Sequence, residues 1–515
     1  MYLTQGLHRA VQQTPDAVMT ICGDRQRTVK EVAERVARLA GALRGLGVKA
    51  GDRVAMLSLN SDHYHEYLLA VPWANAVLNP VNIRWSPAEI AYSLRDSSTT
   101  VLFVDDTFAD LIPVLREAHP ELTTVIHIGD IPQPAGALCY QDMIDAAEPI
   151  EDARRGGEDL AGVFYTGGTT GLPKGVQLSH ANLFTSSLGA AASGWFVSPG
   201  DRVLHAAPMF HLADLATWYT ALAQGATQVF IPAFEPIAVL TAIAQHRVTK
   251  TLLVPAMIQV LVDHPAIADY DLASLQGILY GASPIAQAVI ERTMEVLPSV
   301  TLTQGFGMTE LASLITVLTP EDHCDETLRR SAGRAAPHTE LRIVDPDDNE
   351  LSAGAIGEIL VRGGHVMTGY WNQPRETAEA LRDGWMHTGD LGYLDEAGYL
   401  FVVDRIKDMI VTGGENVYSA EVENAVAQHP AVASCAVIGI PDPDWGERVH
   451  AVVVLQPGSA LTHDDLRYHV KALIAGYKAP RSTDFVAALP VSGAGKILKR
   501  ELRKRYEPGI SHLDR

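Results

Sequence analysis

Residues 164–176 read FYTGGTTGLPKGV, with four glycines, three threonines and a lysine in one short run. Those residue types suit a polyphosphate. Glycines let backbone N–H groups converge on an anion. The hydroxyls of Thr166, Thr169 and Thr170 add donors, Gly167 and Gly168 add backbone, and Lys174 adds a mobile positive charge. The spacing is not GxxxxGK[ST], because Leu172 and Pro173 separate Gly171 from Lys174. A plain glycine-rich turn would use the same residues.

Further groups with chemical potential are spread along the chain. QGFGMTE runs from Gln304 to Glu310, after an apolar stretch that reads as a strand. Gly305 and Gly307 permit close backbone approach, and Phe306 can stack on a base. Met308 follows, Thr309 can bond a phosphate, and Glu310 can hold Mg²⁺. The plain alternative is a strand–turn–helix with Glu310 in the first turn of the helix. It is not a dinucleotide fingerprint, since Glu310 stands where the last glycine belongs. Asp390 in GWMHTGDLG reads as a carboxylate in a glycine-bounded turn, able to accept from two ribose hydroxyls or to make an Asx-turn. His211 lies among apolar residues in APMFHLADLA, where a histidine is commonly a satisfied core group. Asp404, Arg405, Lys407 and Asp408 crowd a strand end before Gly413 and Gly414, which suits a hinge or a solvated linker. Lys496 in VSGAGKILKR sits on a glycine-flanked loop before a basic helix. That loop also misses the P-loop pattern, with Pro490 and Ile497 at its two diagnostic positions.

The elements that must carry these groups alternate. In TVKEVAERVARLAGALRGLGVKAGDRVAMLSLN, Thr28 and Glu31 form a capping box. Val29, Val32, Val36, Leu39 and Leu43 recur at helical spacing, Gly45 and Gly47 end the helix, and RVAMLSL is a strand. The rhythm returns at 64–82, 85–104, 236–254 and 257–280, which predicts parallel sheets covered by helices. Residues 212–234 carry Asp214, two glutamines and two glycines, so they read as a buried helix and strand rather than a membrane span. After about residue 340, short strands joined by Asp/Gly turns predict antiparallel structure. From Lys407 a compact α+β run follows, with helices starting near Ser419, Thr462 and Lys499. The domain boundary is placed at Asp404–Lys407, giving domains 1–404 and 405–515.

Composition narrows the function classes. A net charge of −21 repels nucleic acid backbone and anionic lipid, so neither is an expected partner. Cys22, Cys139, Cys324 and Cys435 are far apart, which argues against a disulfide framework or zinc site and fits a reducing, cytoplasmic setting. The N-terminal residues lack the apolar core of a signal peptide.

In their order along the chain, YTGGTTGLPKGV, PMFHLADL, YGASP, QGFGMTE, GWMHTGDLGYLDEAGYLFVVDRIKDMIVTGGENVY and SGAGKILKREL resemble the adenylate-forming superfamily of acyl-CoA synthetases, peptide-synthetase adenylation domains and luciferases. DRIKDMIVTGGENVYSAEVE and PDPDWGE look most like the acyl-CoA synthetases. The resemblance covers nearly the whole chain. It implies an α/β fold: a large N-terminal domain of helix-covered sheets plus a distorted β-barrel, and a small mobile α+β C-terminal domain. It implies an AMP-forming carboxylic acid–CoA ligase using ATP, Mg²⁺ and coenzyme A, for which a homodimer is an allowed assembly. The roles implied are these. Thr166, Gly167, Gly168, Thr169, Thr170 and Lys174 hold phosphate. Gly281, Ala282 and Ser283 lie beside adenine and the acyl pocket. Gln304, Gly305, Phe306, Gly307, Met308 and Thr309 line the nucleotide, with Phe306 on adenine and Thr309 at the α-phosphate. Glu310 binds the metal. Asp390, with Arg405 nearby, takes the ribose. Lys496 bridges carboxylate and α-phosphate, and His211 gates the acyl carboxylate. Lys407 is the hinge, and Gly413, Gly414, Glu415 and Trp445 face CoA. Two departures stand out: Gly168 replaces a usual serine, and Ser419 replaces a usual proline, where it is expected to cap the following helix.

The acyl pocket implied by the resemblance is lined near Trp195, 211–218, 254–257, 281–284 and 305–311. It is mostly apolar, so a medium- or long-chain fatty acid is the preferred substrate. An aromatic acid of benzoate or hydroxycinnamate type is second, and delivery to a carrier-protein thiol instead of CoA is a further alternative. Asp214 would bond a polar substrate tail if it faces the pocket, and would face solvent otherwise.

Overall fold

The structure is a computed structural model. It describes residues 1–166, 172–283, 285–491 and 497–506. By packing, the chain divides into two compact units: Met1–Leu341 with Val361–Met386, and Arg342–Leu360 with the chain from His387 onward.

The first unit is built on two sheets. The nine-stranded sheet has six parallel strands at its centre, in the order 301–306, 277–281, 250–253, 202–205, 227–230, 18–22. Its outer strands, 25–28 on one side and 316–318 then 334–335 on the other, are antiparallel. The eight-stranded sheet runs 369–370, 174–179, 160–166, 77–80, 53–57, 101–105, 124–128, 138–139. Its interior strands are parallel, and its first three are joined antiparallel. Buried parallel strands expose both faces to helices, so they read as apolar runs.

The expected helix–strand alternation is present. Helix Val29–Gly45 starts at the Thr28–Glu31 capping box, buries Val32, Val36, Leu39 and Leu43, and is followed by strand Arg53–Leu57. Helix Leu212–Gln224 and strand Thr227–Phe230 occupy the apolar 212–234 run. Among the described residues no helix is long and apolar enough to cross a membrane.

The second unit holds most of the five-stranded sheet of residues 340–405 and a further five-stranded sheet, ordered 415–417, 410–412, 446–455, 432–442, with 482–485 joined parallel to 446–455. Helices Ser419–Ala427 and His463–Leu473 cover one face through Val422, Val426, Leu466 and Val470. Leu502 of helix Lys499–Lys504 packs on the other, against Ile438, Ile440 and Val452. The packing division thus groups 342–360 and 387–404 with the residues that follow Lys407.

Candidate active site

Strands Leu160–Thr166 and Lys174–Ser179 form an antiparallel hairpin in which Thr166 and Lys174 are partners. The two ends of the glycine-rich loop therefore face each other. Gly167, Gly168, Thr169 and Thr170 lie outside the described residues. The base of the hairpin is fixed through Asp96. Tyr165 Oη donates to its carboxylate at 2.6 Å, and Trp371 Nε1 donates to its carbonyl at 2.9 Å.

Lys174 Nζ stands 4.9 Å from the centre of the Tyr370 ring, a cation–π distance. Tyr370 Oη donates to Glu310 Oε1 at 3.0 Å. Burial, then the neighbouring Glu310 charge, pushes the Tyr370 hydroxyl well above its ordinary range, so it remains a donor. Lys174, Tyr370 and Glu310 are thus linked in a row. Tyr370 escapes sequence reasoning because 60 positions separate it from Glu310. Its only sequence signal is the aromatic pair Tyr370–Trp371.

QGFGMTE is not followed by a helix. Strand Thr301–Phe306 leads into one 3₁₀ turn, Thr309–Leu311, which ends where Ala312 enters the left-handed region at φ +46°. Glu310 is buried, and its backbone carbonyl accepts from Met367 N–H at 2.8 Å. Its placement therefore owes nothing to a helix dipole.

Gly281 and Gly305 are register partners on adjacent parallel strands. A Cβ on Gly281 would lie 2.1 Å from the Gly305 carbonyl oxygen, so the glycine is required by backbone contact. Ala282 follows at φ +66°, a conformation that costs a side-chain-bearing residue about 1 kcal/mol or more. Ser283 continues that turn. On Gly305 itself, a Cβ would meet Leu314 Cδ1 at 3.1 Å and the Phe196 ring at 3.5 Å.

His211 is the residue immediately before helix Leu212–Gln224, with its ring 4.2 Å from that of Phe210. Asp214 faces neither an acyl pocket nor solvent. It is fully buried, and its Oδ2 accepts from Nδ1 of the equally buried His205 at 2.9 Å. The first turn of the helix points it back at the strand that the chain has just left.

In the second unit, Asp390 is not in a turn. It lies inside strand Trp385–Leu394, opposite Arg405 on Leu400–Arg405. Gly389, at φ +71°, supplies the local bend that the sequence suggests without ending the ladder. Arg405 Nε is 3.1 Å from Asp390 Oδ1. Next to the pair, Lys407 is lowered to about 8, first by burial and then by the Arg405 charge.

Gly413 and Gly414, at φ +60° and +83°, form the tight turn between Ile410–Thr412 and Glu415–Val417. Two positive φ values in a two-residue loop are those of the hairpin turn that glycine favours. Gly413 N–H donates to the Trp445 carbonyl at 2.9 Å, and Arg481 stacks on the Trp445 ring at 3.9 Å. Glu415 stands opposite Thr412 at the foot of this hairpin.

Ser419 does not cap its helix. The capping position is Tyr418, and Ser419 instead donates its N–H and hydroxyl to Asp404 Oδ2, while Lys499 Nζ donates to Ser419 Oγ at 2.6 Å. Lys496 lies outside the described residues.

Comparison with known proteins agrees with this architecture. Residues 7–371 match the AMP-binding enzyme family, and residues 421–496 match the AMP-binding enzyme C-terminal domain. Feruloyl-CoA synthase of an Amycolatopsis species is 41% identical over 97% of this chain and 98% of its own length. Fatty acid–[acyl-carrier-protein] ligase of Streptomyces coeruleorubidus is 36% identical over 96% of this chain and 94% of its own. Among solved structures, o-succinylbenzoate-CoA synthetase of Bacillus subtilis, held with its acyl-adenylate intermediate, superposes with a TM-score of 0.86 at 31% identity, covering 97% of each chain. These matches define an enzyme of the AMP-forming acid–thiol ligase class. The chain belongs to the AMP-binding enzyme family.

Proposed function

We propose that this chain joins an aromatic carboxylic acid of hydroxycinnamate type to coenzyme A. In the first step a carboxylate oxygen attacks the α-phosphorus of ATP, the bond to the bridging oxygen breaks, and acyl-AMP and pyrophosphate result. In the second, the CoA sulfur attacks the acyl carbon, AMP leaves with the bonding pair, and the thiol proton goes to solvent. Both steps need reactants held in line and charge met by fixed donors.

The residues divide the work as follows. Thr166 and Lys174, with Gly167, Gly168, Thr169 and Thr170 of the loop between them, hold the departing phosphates. Gln304, Gly305, Phe306, Gly307 and Met308 give a flat backbone wall and an aromatic face for adenine. Thr309 donates to the α-phosphate. Asp390, steadied by Arg405, takes the ribose hydroxyls. Lys496 bridges carboxylate and α-phosphate, and His211 flanks the carboxylate. In the second step, Gly413, Gly414, Glu415 and Trp445 face CoA, reached by a turn about Lys407. Mg²⁺ fits Glu310, because a nucleotide-borne Mg²⁺ needs only one or two protein carboxylates and Tyr370 already orients this one. Bound there, the ion would offset charge on the phosphate oxygens.

The observation that carries the choice of acid is the similarity to feruloyl-CoA synthase, 41% identical over nearly the whole of both chains. A medium- or long-chain fatty acid is the second reading, favoured by the apolar lining and by the Streptomyces relative, which also raises carrier-protein delivery. The four cysteines are free, which suits a cytoplasmic setting.

The test is AMP and pyrophosphate release with and without CoA, over acids from acetate to palmitate plus benzoate and ferulate. CoA-dependent turnover peaking on ferulate is expected. A peak on palmitate would replace the aromatic reading with the fatty-acid one. Pyrophosphate release that ignores CoA would point to a carrier protein as acceptor.

A further inference from the structure

The residues that lead to His211 are held by one buried side chain from the other sheet. Asn60 follows strand Arg53–Leu57 of the eight-stranded sheet, whereas residues 206–211 follow strand Arg202–His205 of the nine-stranded one. Asn60 is buried, and its amide is fully used. Nδ2 donates to the His205 carbonyl at 3.3 Å and the Ala207 carbonyl at 2.8 Å, and Oδ1 accepts from Met209 N–H at 2.8 Å. Its backbone N–H is engaged too, on the Pro232 carbonyl at 3.0 Å.

A single amide thus pairs alternate residues 205, 207 and 209 as a strand would, where the ladder of His205 with Phe230 ends and residues 206–209 run beyond it. The segment then closes on itself. His211 N–H donates to the Pro208 carbonyl at 3.0 Å, Asp214 N–H donates to the His211 carbonyl at 3.1 Å, and Asp214 bonds back to His205. Met209 is wholly buried and Phe210 nearly so, which leaves the segment little freedom apart from these bonds. Asn60 contacts the backbone of this segment and sits two residues short of His211.

We propose that Asn60 is the positioning residue for His211: by fixing 205–209 it sets where the imidazole meets the acyl carboxylate. This rests on the reading of His211 given above. Loss of the amide takes the partner from the Ala207 carbonyl and the Met209 N–H in a dry interior, while the His205 carbonyl keeps Ile231 N–H, and the segment must move to satisfy the first two. Displacement of a reacting-site group by about 1 Å can cost up to about 100-fold.

The test is a double-mutant cycle of Asn60→Ala and His211→Ala, run with whichever acid the wild-type enzyme turns over and normalised to the folded fraction. Asn60→Ser serves in place of Asn60→Ala if that variant does not fold. Expected is a rise in the acid KM of about 10-fold in each single variant, an ATP KM within about 2-fold of wild type, and a double variant no worse than the poorer single one. Losses that multiply in the double variant would overturn the proposal, as would equal rises in the acid and ATP KM. If His211→Ala alone leaves the acid KM unchanged, the role of His211 fails first and the proposal falls with it.

Discussion

Asp214 and Asp390 are two carboxylates that the sequence marks as candidates, and the fold treats them in opposite ways. Asp214 is walled in with His205, both at 0% exposure. Asp390 is largely buried too, yet its partner Arg405 keeps 45% of its side chain exposed and sits at the end of a strand. The first pair faces only the protein. The second keeps one exposed member. On the proposed role of Asp390 at the ribose, what sets it apart from Asp214 is the exposure of its partner rather than its own.

Replacing Asp390 by alanine tests the contrast most strongly. Adenylation kcat/KM should fall about 10- to 100-fold, mainly through the ATP KM, because charge-assisted bonds are worth about 1.5–3 kcal/mol. The melting temperature should hardly move. A fall in melting temperature with adenylation intact would put Asp390 in the same class as Asp214.

Asp214→Ala should do the converse. It strands the buried His205 Nδ1, at a cost of about 2–4 kcal/mol, which thermal unfolding would report as a drop of several degrees. Adenylation per folded molecule should stay within about 3-fold of wild type. A catalytic loss larger than that of Asp390→Ala would reverse the assignment.

The smallest effect concerns Lys407. Its folded-state value, lowered to about 8 from an ordinary 10.5, means that between these pH values the unfolded chain binds the extra proton. Stability therefore rises with pH across that window, and the cost of burying the charge is present in full below it. Denaturant midpoints from pH 7 to 10.5 should climb more in wild type than in Lys407→Gln. Parallel curves would show that Lys407 is no more constrained than a surface lysine.

Local features of this chain are legible in the sequence, and pairings across long separations are not. The Thr28–Glu31 capping box and the glycine turn at Gly413–Gly414 depend on neighbours within four residues, and both form as expected. The hairpin of Leu160–Thr166 and Lys174–Ser179 needs only residues 160–179. By contrast, helical spacing leaves Asp214 ambiguous, because its partner His205 lies across a loop rather than on its own helix. Gly389 marks a bend before Asp390, but only the ladder with Arg405 shows that the strand continues. Tyr370 and Asn60 carry no chemical signal of their own. Their importance arises from Glu310 and Met209, 60 and 149 positions away. Ser419 has the right chemistry for a cap, yet the helix begins at Ser419 itself, with Tyr418 in the capping position, and the serine N–H and hydroxyl donate to Asp404.

The strand Val18–Cys22 has one further consequence. It lies in the nine-stranded sheet, with Thr20 beside Gln228, although, after its hairpin partner Arg25–Thr28, the strands from Arg53–Leu57 through Lys174–Ser179 build the other sheet. The two sheets are therefore interlaced along the chain, and no cut between residues 30 and 225 leaves either one complete. A ribosome must release some 230 residues before the first strand meets its parallel partner Thr227–Phe230, so truncated or split versions with breaks in that interval would need both fragments together to fold.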